Sequence, residues 1–155
     1  MNLQDPVLDK LQALCVKREY CTSDIYRKAL ALCKDDPDAQ QKASDLVEAL
    51  VKDKFVDDLR YSCAYAREKS SLNGWGPLKI RTMLMSKRID MDIIKQALSE
   101  ADSSKAERRL EAVLAGKWKT LRDDPQGKYK LIRFALSRGY EYEVIRPLVE
   151  KTVSA

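Results

Sequence analysis

Apolar residues recur at intervals of three and four along most of the chain, with polar and charged residues between them. Leu8, Leu11 and Leu14 form one such series, and Ile80 and Leu84 belong to another. This spacing places apolar side chains on one face of an α-helix, because the helix turns once every 3.6 residues. No segment shows the alternation of period two that marks a half-buried strand. The pattern therefore predicts an all-α fold.

One stretch of this pattern occurs twice. Residues 79–89 realign with residues 130–140, about fifty positions later. Apolar residues fall on apolar residues, and Lys87 falls on Arg138. A period of this size is typical of stacked helical units, each too small to bury its own apolar face. The first part of the chain resembles these two copies more loosely.

The repeat predicts three tandem units of three helices each, forming an elongated, curved, solenoid-like molecule. The expected bounds are residues 7–53, 55–101 and 104–153. Because stacked units present a common surface, we expect a binding face that continues from one unit to the next.

Acidic residues and prolines mark the predicted helix starts. A carboxylate at the N-cap accepts a hydrogen bond from a free backbone N–H, and proline at the first helical position loses no hydrogen bond. The adjacent acidic pairs are therefore interpreted as caps rather than as metal or acid–base sites. The predicted caps are Thr22 or Ser23, Asp36 before Pro37, Asp57, Asp90, Ser104 with Glu107, and Asp124 before Pro125.

The composition indicates a folded protein. Hydrophobic residues make up 45% of the 155-residue chain and charged residues 34%, which is too apolar for a disordered chain. No apolar stretch approaches the length of about eighteen residues that a membrane span needs. Residues Met1–Asp5 lack the basic and apolar regions of a secretion signal. We therefore expect a cytoplasmic protein with no membrane segment.

Histidine and the common catalytic sequence motifs are absent from the sequence. There is no histidine, the usual general base near neutral pH, and no glycine-rich phosphate loop or serine elbow. The four cysteines, Cys15, Cys21, Cys33 and Cys63, lack the paired spacing of a zinc site. We expect them to be small buried apolar residues in a reducing compartment. These observations favour a binding protein over an enzyme, with no metal and no cofactor.

The formal net charge of +5 is concentrated in the last two thirds of the chain. This imbalance favours a polyanion or an acidic protein surface as a partner, although ordinary solvated helix faces explain the charge equally well. Trp75 lies between two glycines in a predicted turn, where we expect it to be partly exposed and available as a binding anchor. The candidate binding residues are Arg60, Arg67, Trp75, Lys79, Arg81, Lys87, Arg88, Lys130, Arg133 and Arg138.

Phe-Val-Asp-Asp-Leu-Arg-Tyr at residues 55–61 and Ser-Arg-Gly-Tyr at residues 137–140 are two distinctive runs of the sequence. Together with their spacing, they resemble the RecX family, the regulatory proteins of the RecA recombinase. The first run, which precedes Gly76 and Pro77, is the strongest part of the resemblance. The second run is similar to the corresponding part of the family's third repeat. No single run is diagnostic, but their order and spacing hold over residues 8–149.

The resemblance implies an elongated, curved, helical modulator that lodges in the groove of a RecA filament on single-stranded DNA. It implies inhibition of ATP hydrolysis and of strand exchange, and thus a role in homologous recombination, DNA repair and the SOS response. The expected partners are the RecA filament and, as a second contact, single-stranded DNA, and we expect a monomer. An alternative hypothesis is a stand-alone nucleic-acid-binding module that uses the basic C-terminal repeats. Direct DNA binding would weaken steeply with salt, because condensed counterions are released.

Arg88 departs from the family pattern, in which glycine tends to follow the lysine at this helix end. The third copy keeps Gly139 at the equivalent position. Glycine adopts a left-handed backbone conformation at little steric cost. Arg88 must therefore either adopt that conformation under strain or end the helix differently.

Overall fold

The computed structural model describes residues 5–155, and over that range the chain forms nine α-helices and no strand. The prediction of an all-α fold is confirmed. The absence of a secretion signal was argued from residues that lie largely outside this described range. The helices are α1 (Pro6–Lys17), α2 (Thr22–Leu32), α3 (Ala39–Lys52), α4 (Asp58–Asn73), α5 (Pro77–Ser86), α6 (Met91–Ser99), α7 (Ser103–Leu121), α8 (Gly127–Ser137) and α9 (Tyr142–Ser154).

Three hydrophobic cores follow one another along the chain, one for each successive set of three helices. We call α1–α3 unit 1, α4–α6 unit 2 and α7–α9 unit 3. Ile25, Ile80 and Leu131 are central to the three cores and are almost completely buried. Burying each such side chain contributes about 1.5–3 kcal/mol. Cys21 belongs to unit 1 by sequence but packs into the core of unit 2, so it joins the first two units.

The chain exposes a large surface for its mass. Its accessible area is 10038 Å² at 17.7 kDa, whereas a compact monomer of that mass exposes roughly 7,900 Å². The excess is expected for an elongated molecule in which each unit contacts only its neighbours along the chain. Within residues 5–155, no helix is both long enough and apolar enough to cross a membrane.

Two predicted helix starts are displaced. The helices α3 and α8 begin two residues beyond Pro37 and Pro125, rather than at them. Each Asp-Pro pair instead opens a short turn, in which the carbonyl of Asp36 or Asp124 accepts a hydrogen bond from the N–H three residues later, at 3.2 and 2.8 Å. Proline suits the second position of such a turn as well as the first position of a helix, so the sequence signal is ambiguous.

The remaining caps are mixed. Asp57 caps α4 as predicted, accepting a hydrogen bond from the N–H of Arg60 at 3.0 Å. Asp90 precedes α6 but its side chain makes no capping bond. The predicted Ser104 cap of α7 is wrong, because Asp102 caps the helix one residue before its start and accepts from two backbone N–H groups. A carboxylate at the N-cap position satisfies these free donors at least as well as a serine hydroxyl.

Candidate partner-binding surface

Adjacent units meet where the start of the middle helix of one unit approaches the end of the middle helix of the next. We call the meeting of α2 with the end of α5 the first junction. We call the meeting of the start of α5 with the end of α8 the second junction. Most of the basic residues predicted from the sequence lie at or near these two places, so their contacts there determine what they can bind.

Lys87 holds the first junction together. Its Nζ donates hydrogen bonds to both carboxylate oxygens of Asp24, at 2.9 and 3.2 Å, and its carbonyl accepts one from the Ser23 hydroxyl at 2.8 Å. Burial alone would raise the pKa of Asp24, but hydrogen bonds from Lys87 and Arg27 hold that pKa below its usual value. Lys87 therefore pairs within the chain, across the boundary between units 1 and 2.

Unit 2 also provides the N-terminal cap of α2, the helix that unit 1 contributes to the first junction. The N–H of Thr22 donates to a carboxylate oxygen of Asp58 at 2.7 Å, so α2 is capped from the next unit rather than by Thr22 or Ser23 as predicted. Arg60 donates to Glu19 at 2.6 Å and to the carbonyl of Phe55 at 3.2 Å. The acidic pair at residues 57–58 thus caps two different helices, and Arg60 is occupied by an internal ion pair.

Arg88 ends α5 in the left-handed conformation, with a φ of 60°. This is the first of the two possibilities raised by the sequence. A side chain in this region costs about 1–2 kcal/mol relative to the right-handed conformation. Gly139, the equivalent residue of unit 3, has a φ of 99°. The exposed guanidinium of Arg88 is therefore carried on a strained backbone at the edge of the first junction.

Replacing Arg88 by glycine is expected to raise the free energy of unfolding by about 1 kcal/mol, because the left-handed strain is relieved. Thermal and urea unfolding of the variant measure this gain. The matched control is Arg81→Gly in the middle of α5, where glycine should instead lower stability by about 1 kcal/mol. A loss of stability in both variants would contradict a strained backbone at Arg88.

The second junction is formed by direct backbone contact between units 2 and 3. The N–H of Gly76 donates to the carbonyl of Arg138 at 2.7 Å, and the N–H of Leu78 donates to the carbonyl of Gly139 at 3.0 Å. The hydroxyl of Tyr140 donates to the carbonyl of Gly74 at 2.9 Å in a buried position. The first two of these bonds satisfy the N–H groups of Gly76 and Leu78 at the start of α5, which would otherwise lack a partner within the helix.

Arg138 is also held at the second junction, but not by an acid. Its guanidinium donates to the carbonyl of Asn73 and lies 5.7 Å from the ring centroid of Phe134. Its Nε is buried without a hydrogen-bond partner among the described residues. The equivalent residue at the first junction, Lys87, has a carboxylate partner, so the two junctions differ in charge balance.

Trp75 lies beside the second junction, and the ammonium groups of two lysines lie over its ring. The Nζ atoms of Lys79 and Lys69 are 4.3 and 5.0 Å from the ring centroid, respectively. Trp75 and Tyr65 pack edge to face, with ring centroids 6.4 Å apart. Trp75 is half-buried, as expected from its position in a turn. Burial lowers the pKa of Lys79, and the nearby charges of Arg138 and Lys69 lower it further.

The other candidates are dispersed. Arg67, Arg81 and Arg133 are exposed and take part in no ion pair within residues 5–155. Lys130 pairs with Asp124 at 2.5 Å on the surface of unit 3. The structure thus brings Trp75, Lys79 and Arg138 together and leaves the others as separate surface or internal charges.

Sequence analysis missed two residues that matter at the junctions. Lys69 completes the cluster around Trp75, and Asp24 neutralises Lys87. Aligning Ile25 with Ile80 places Asp24 on Lys79. That alignment is the signal that would have revealed opposite charges at equivalent positions of the two junctions.

The four cysteines are unpaired thiols. Cys21 and Cys33 are buried, as predicted, whereas Cys15 and Cys63 are only half-buried. Among the described residues, no three Asp, Glu or Cys side chains are grouped closely enough to hold a metal ion. Burial raises the pKa of Cys63 to about 11, aided by Glu100, whose carboxylate accepts a hydrogen bond from the thiol at 2.9 Å.

We expect alkylation of Cys63 by iodoacetamide to be slow at pH 8 and to accelerate only as the pH rises towards 11, because the thiolate is the reactive form. Removing the negative charge with Glu100→Gln should lower the pKa and accelerate alkylation at pH 8 on the order of tenfold. Mass spectrometry at residue resolution measures this, with Cys15 as the internal reference. An unchanged Cys63 rate in the variant would contradict the role of Glu100.

Comparison with known proteins identifies the family. A model of the second three-helix domain of RecX matches residues 57–98, and a model of the third matches residues 106–149. A protein named regulatory protein RecX from Clostridium botulinum (strain Eklund 17B / Type B) is 30% identical over 143 residues, covering 90% of this chain and 65% of its own length. Its namesake from Clostridium tetani (strain Massachusetts / E88) is 28% identical, covering 88% and 62%. The chain thus spans slightly less than two thirds of these relatives.

Two solved structures share the fold. A crystal structure of regulatory protein RecX superposes with a TM-score of 0.80 at 18% identity, over 93% of this chain and 70% of that one. The structure of RecX from Lactobacillus salivarius gives a TM-score of 0.72 at 17% identity, over 96% and 98%. The two family models together match more than half of the chain, in the order in which its units 2 and 3 occur. The chain therefore belongs to the RecX family.

Proposed function

We propose that this protein regulates a RecA recombinase, without catalysis of its own, by binding the groove of its filament on single-stranded DNA. Binding there reduces ATP hydrolysis and strand exchange. The observation that carries the proposal is the match over 90% of this chain to a protein named regulatory protein RecX. In this proposal the protein acts in the cytoplasm and as a monomer.

The arrangement of the units supports a filament as the partner. A filament presents the same surface at regular intervals, and a chain of similar units can meet such a surface at more than one point. The exposed area above that of a compact monomer leaves a long face for this contact. Exposed arginines occur in consecutive units, with Arg67 and Arg81 in unit 2 and Arg133 in unit 3.

Contacts within the chain show which candidate residues are free to bind a partner. Arg60, Lys87 and Lys130 form ion pairs within the chain, so they contribute to binding only if those pairs open. We propose that the direct contacts come from the exposed arginines Arg67, Arg81, Arg88 and Arg133, together with Trp75, Lys79 and Arg138 around the second junction.

Fluorescence anisotropy of a labelled single-stranded oligonucleotide tests the proposal. The protein is titrated onto the bare strand and onto the same strand covered by a cognate RecA with a non-hydrolysable ATP analogue. We expect binding to the filament at a salt concentration where the bare strand is not bound. Binding to the bare strand alone, with affinity that falls steeply with salt, would contradict the proposal and favour the stand-alone nucleic-acid-binding module.

A further inference from the structure

Three cations, Lys69, Lys79 and Arg138, meet at the second junction. Lys69 and Lys79 lie over Trp75, and Arg138 is close enough to lower the pKa of Lys79. None of the three forms an ion pair with a carboxylate in the part of the chain that the structure describes. All three are half-buried, and poorly solvated like charges repel one another more strongly than charges in open water. A negative charge from outside the chain would relieve this repulsion.

The first junction contains an acidic residue at a position where the second junction has a lysine. There the residue equivalent to Lys79 is Asp24, and it neutralises Lys87 across the boundary between the units. At the second junction a lysine stands in the position of that aspartate and faces Arg138, the equivalent of Lys87. The same architecture therefore carries a satisfied charge pair between units 1 and 2 and an unsatisfied cationic cluster between units 2 and 3.

An apolar cavity of about 250 Å³ adjoins this cluster and shares Trp75 as a wall. Unit 2 lines it with Pro77, Ile80 and Leu98, and unit 3 adds Val144. A cavity of this size, open to solvent, accommodates one large aliphatic or aromatic side chain of a partner.

We infer that the second junction is a docking site for a protein segment in which an acidic residue neighbours a large apolar residue. The carboxylate binds among Lys69, Lys79 and Arg138, and the apolar side chain fills the adjoining cavity. In the context of the proposed function, on which this assignment of the partner rests, the segment belongs to a recombinase subunit of the filament.

A carboxylate fits this site better than a nucleic-acid backbone. The two lysines lie over Trp75, so they hinder a nucleobase from stacking there. A phosphate backbone also offers nothing to fill an apolar cavity. Three carboxylates, those of Asp102, Glu107 and Glu141, also line the cavity, and none of them forms an ion pair within residues 5–155. They repel a carboxylate from the cavity, so the acidic residue of the segment is directed to the cationic cluster and its apolar residue to the cavity.

A short peptide tests the site without the recombinase. The sequence contains two tryptophans, Trp75 and Trp118. In the variant Trp118→Phe only Trp75 remains, so the tryptophan fluorescence reports on the site. The probe is acetyl-Asp-Asp-Leu-Leu-amide, and its control is acetyl-Asn-Asn-Leu-Leu-amide. We expect a saturable change in Trp75 fluorescence that is about tenfold weaker in affinity for the asparagine peptide. Equal affinity for the two peptides, or no response to either, would overturn the assignment.

Lys79→Asp distinguishes a binding role from a structural one. It recreates at the second junction the acid–base pair of the first, so the variant should unfold at a higher temperature than the wild type. It should nevertheless bind the filament and the acidic peptide at least about tenfold more weakly. Lys95→Asp, on the exposed face of α6, makes the same charge change away from the site and should bind normally. Lys79→Gln provides the same binding test without a new pair.

The cavity has its own matched pair of variants. Val144→Tyr fills the cavity from a position that is 38% exposed, so the fold should tolerate it. Val51→Tyr is the control, because Val51 is 45% exposed and lines the corresponding cavity between units 1 and 2. We expect only Val144→Tyr to weaken binding of the acidic peptide.

Binding to bare single-stranded DNA tests whether the cluster recognises phosphate instead of a carboxylate. If Lys79→Asp weakened binding to a single-stranded oligonucleotide as much as binding to the filament, the cluster would be a phosphate contact and the inference would be overturned. If the wild type bound the acidic peptide but not the filament, the docking site would stand and the recombinase would be excluded as its partner. The peptide measurement thus tests the docking site, and the filament measurement tests whether the recombinase is its partner.

Discussion

Replacing Gly76 by alanine is expected to lower the free energy of unfolding by about 3 kcal/mol. A Cβ atom at this position would lie 2.7 Å from the carbonyl carbon of Gly139 and 2.8 Å from a ring carbon of Tyr140. Separations below 3 Å force atoms to move, and here one of the obstructing groups is backbone that cannot rotate away. The displacement would also lengthen the hydrogen bond from Gly76 N–H to the Arg138 carbonyl.

Gly116→Ala is the matched control for this substitution. Gly116 lies inside α7, where an added Cβ meets nothing within 4 Å, so alanine should raise stability by about 0.5–1 kcal/mol. Urea unfolding followed by circular dichroism measures both variants. Equal, small effects at the two positions would show that units 2 and 3 do not make the close backbone contact described above.

Lys87→Glu is expected to lower the free energy of unfolding by about 2–3 kcal/mol, because it places a second carboxylate beside Asp24. The side chains of Lys87 and Asp24 are only 28% and 14% exposed, so removing the cation leaves the poorly solvated Asp24 carboxylate with only the exposed Arg27 as a partner. Lys130→Glu breaks the more exposed pair with Asp124 and should have a much smaller effect, because water and salt screen an ion pair at the surface. A double-mutant cycle of Lys87→Met with Asp24→Asn isolates the pair from other effects of substitution.

The pH dependence of this pair has a definite sign. The folded-state pKa of Asp24 is lowered, so the pair stabilises the protein above the usual aspartate range, and this contribution is lost as the pH falls through the folded-state value. The stability difference between the wild type and Lys87→Met should therefore shrink in acid. A difference that stayed constant from neutral pH down to acid unfolding would contradict the assigned pair.

Local patterns were sufficient to predict the helices. The spacing of residues such as Leu8, Leu11 and Leu14 determines which face of a helix is apolar, and nothing distant is needed to predict it. The sequence repeat aligns Lys87 with Arg138, and the two residues occupy equivalent positions in the structure. Each lies at the C-terminal end of the middle helix of its unit.

Contacts between distant residues could not be read from the same patterns. Asp58 caps a helix that begins 36 residues earlier in the chain, and its local position indicated only that it starts its own helix. Lys87 was predicted to belong to an open basic face, whereas its charge is paired with Asp24 across a unit boundary. Lys69 was missed because its meeting with Trp75 and Lys79 depends on how α4 approaches α5.

Hydrolysis of ATP by a cognate RecA on single-stranded DNA tests the central claim most directly. The protein is added well below the recombinase concentration, at a salt concentration where it does not bind the bare strand. The account predicts a loss of hydrolysis with the wild type and with Lys95→Asp, and a much weaker loss with Lys79→Asp. Unchanged hydrolysis with the folded wild-type protein would contradict regulation of the filament.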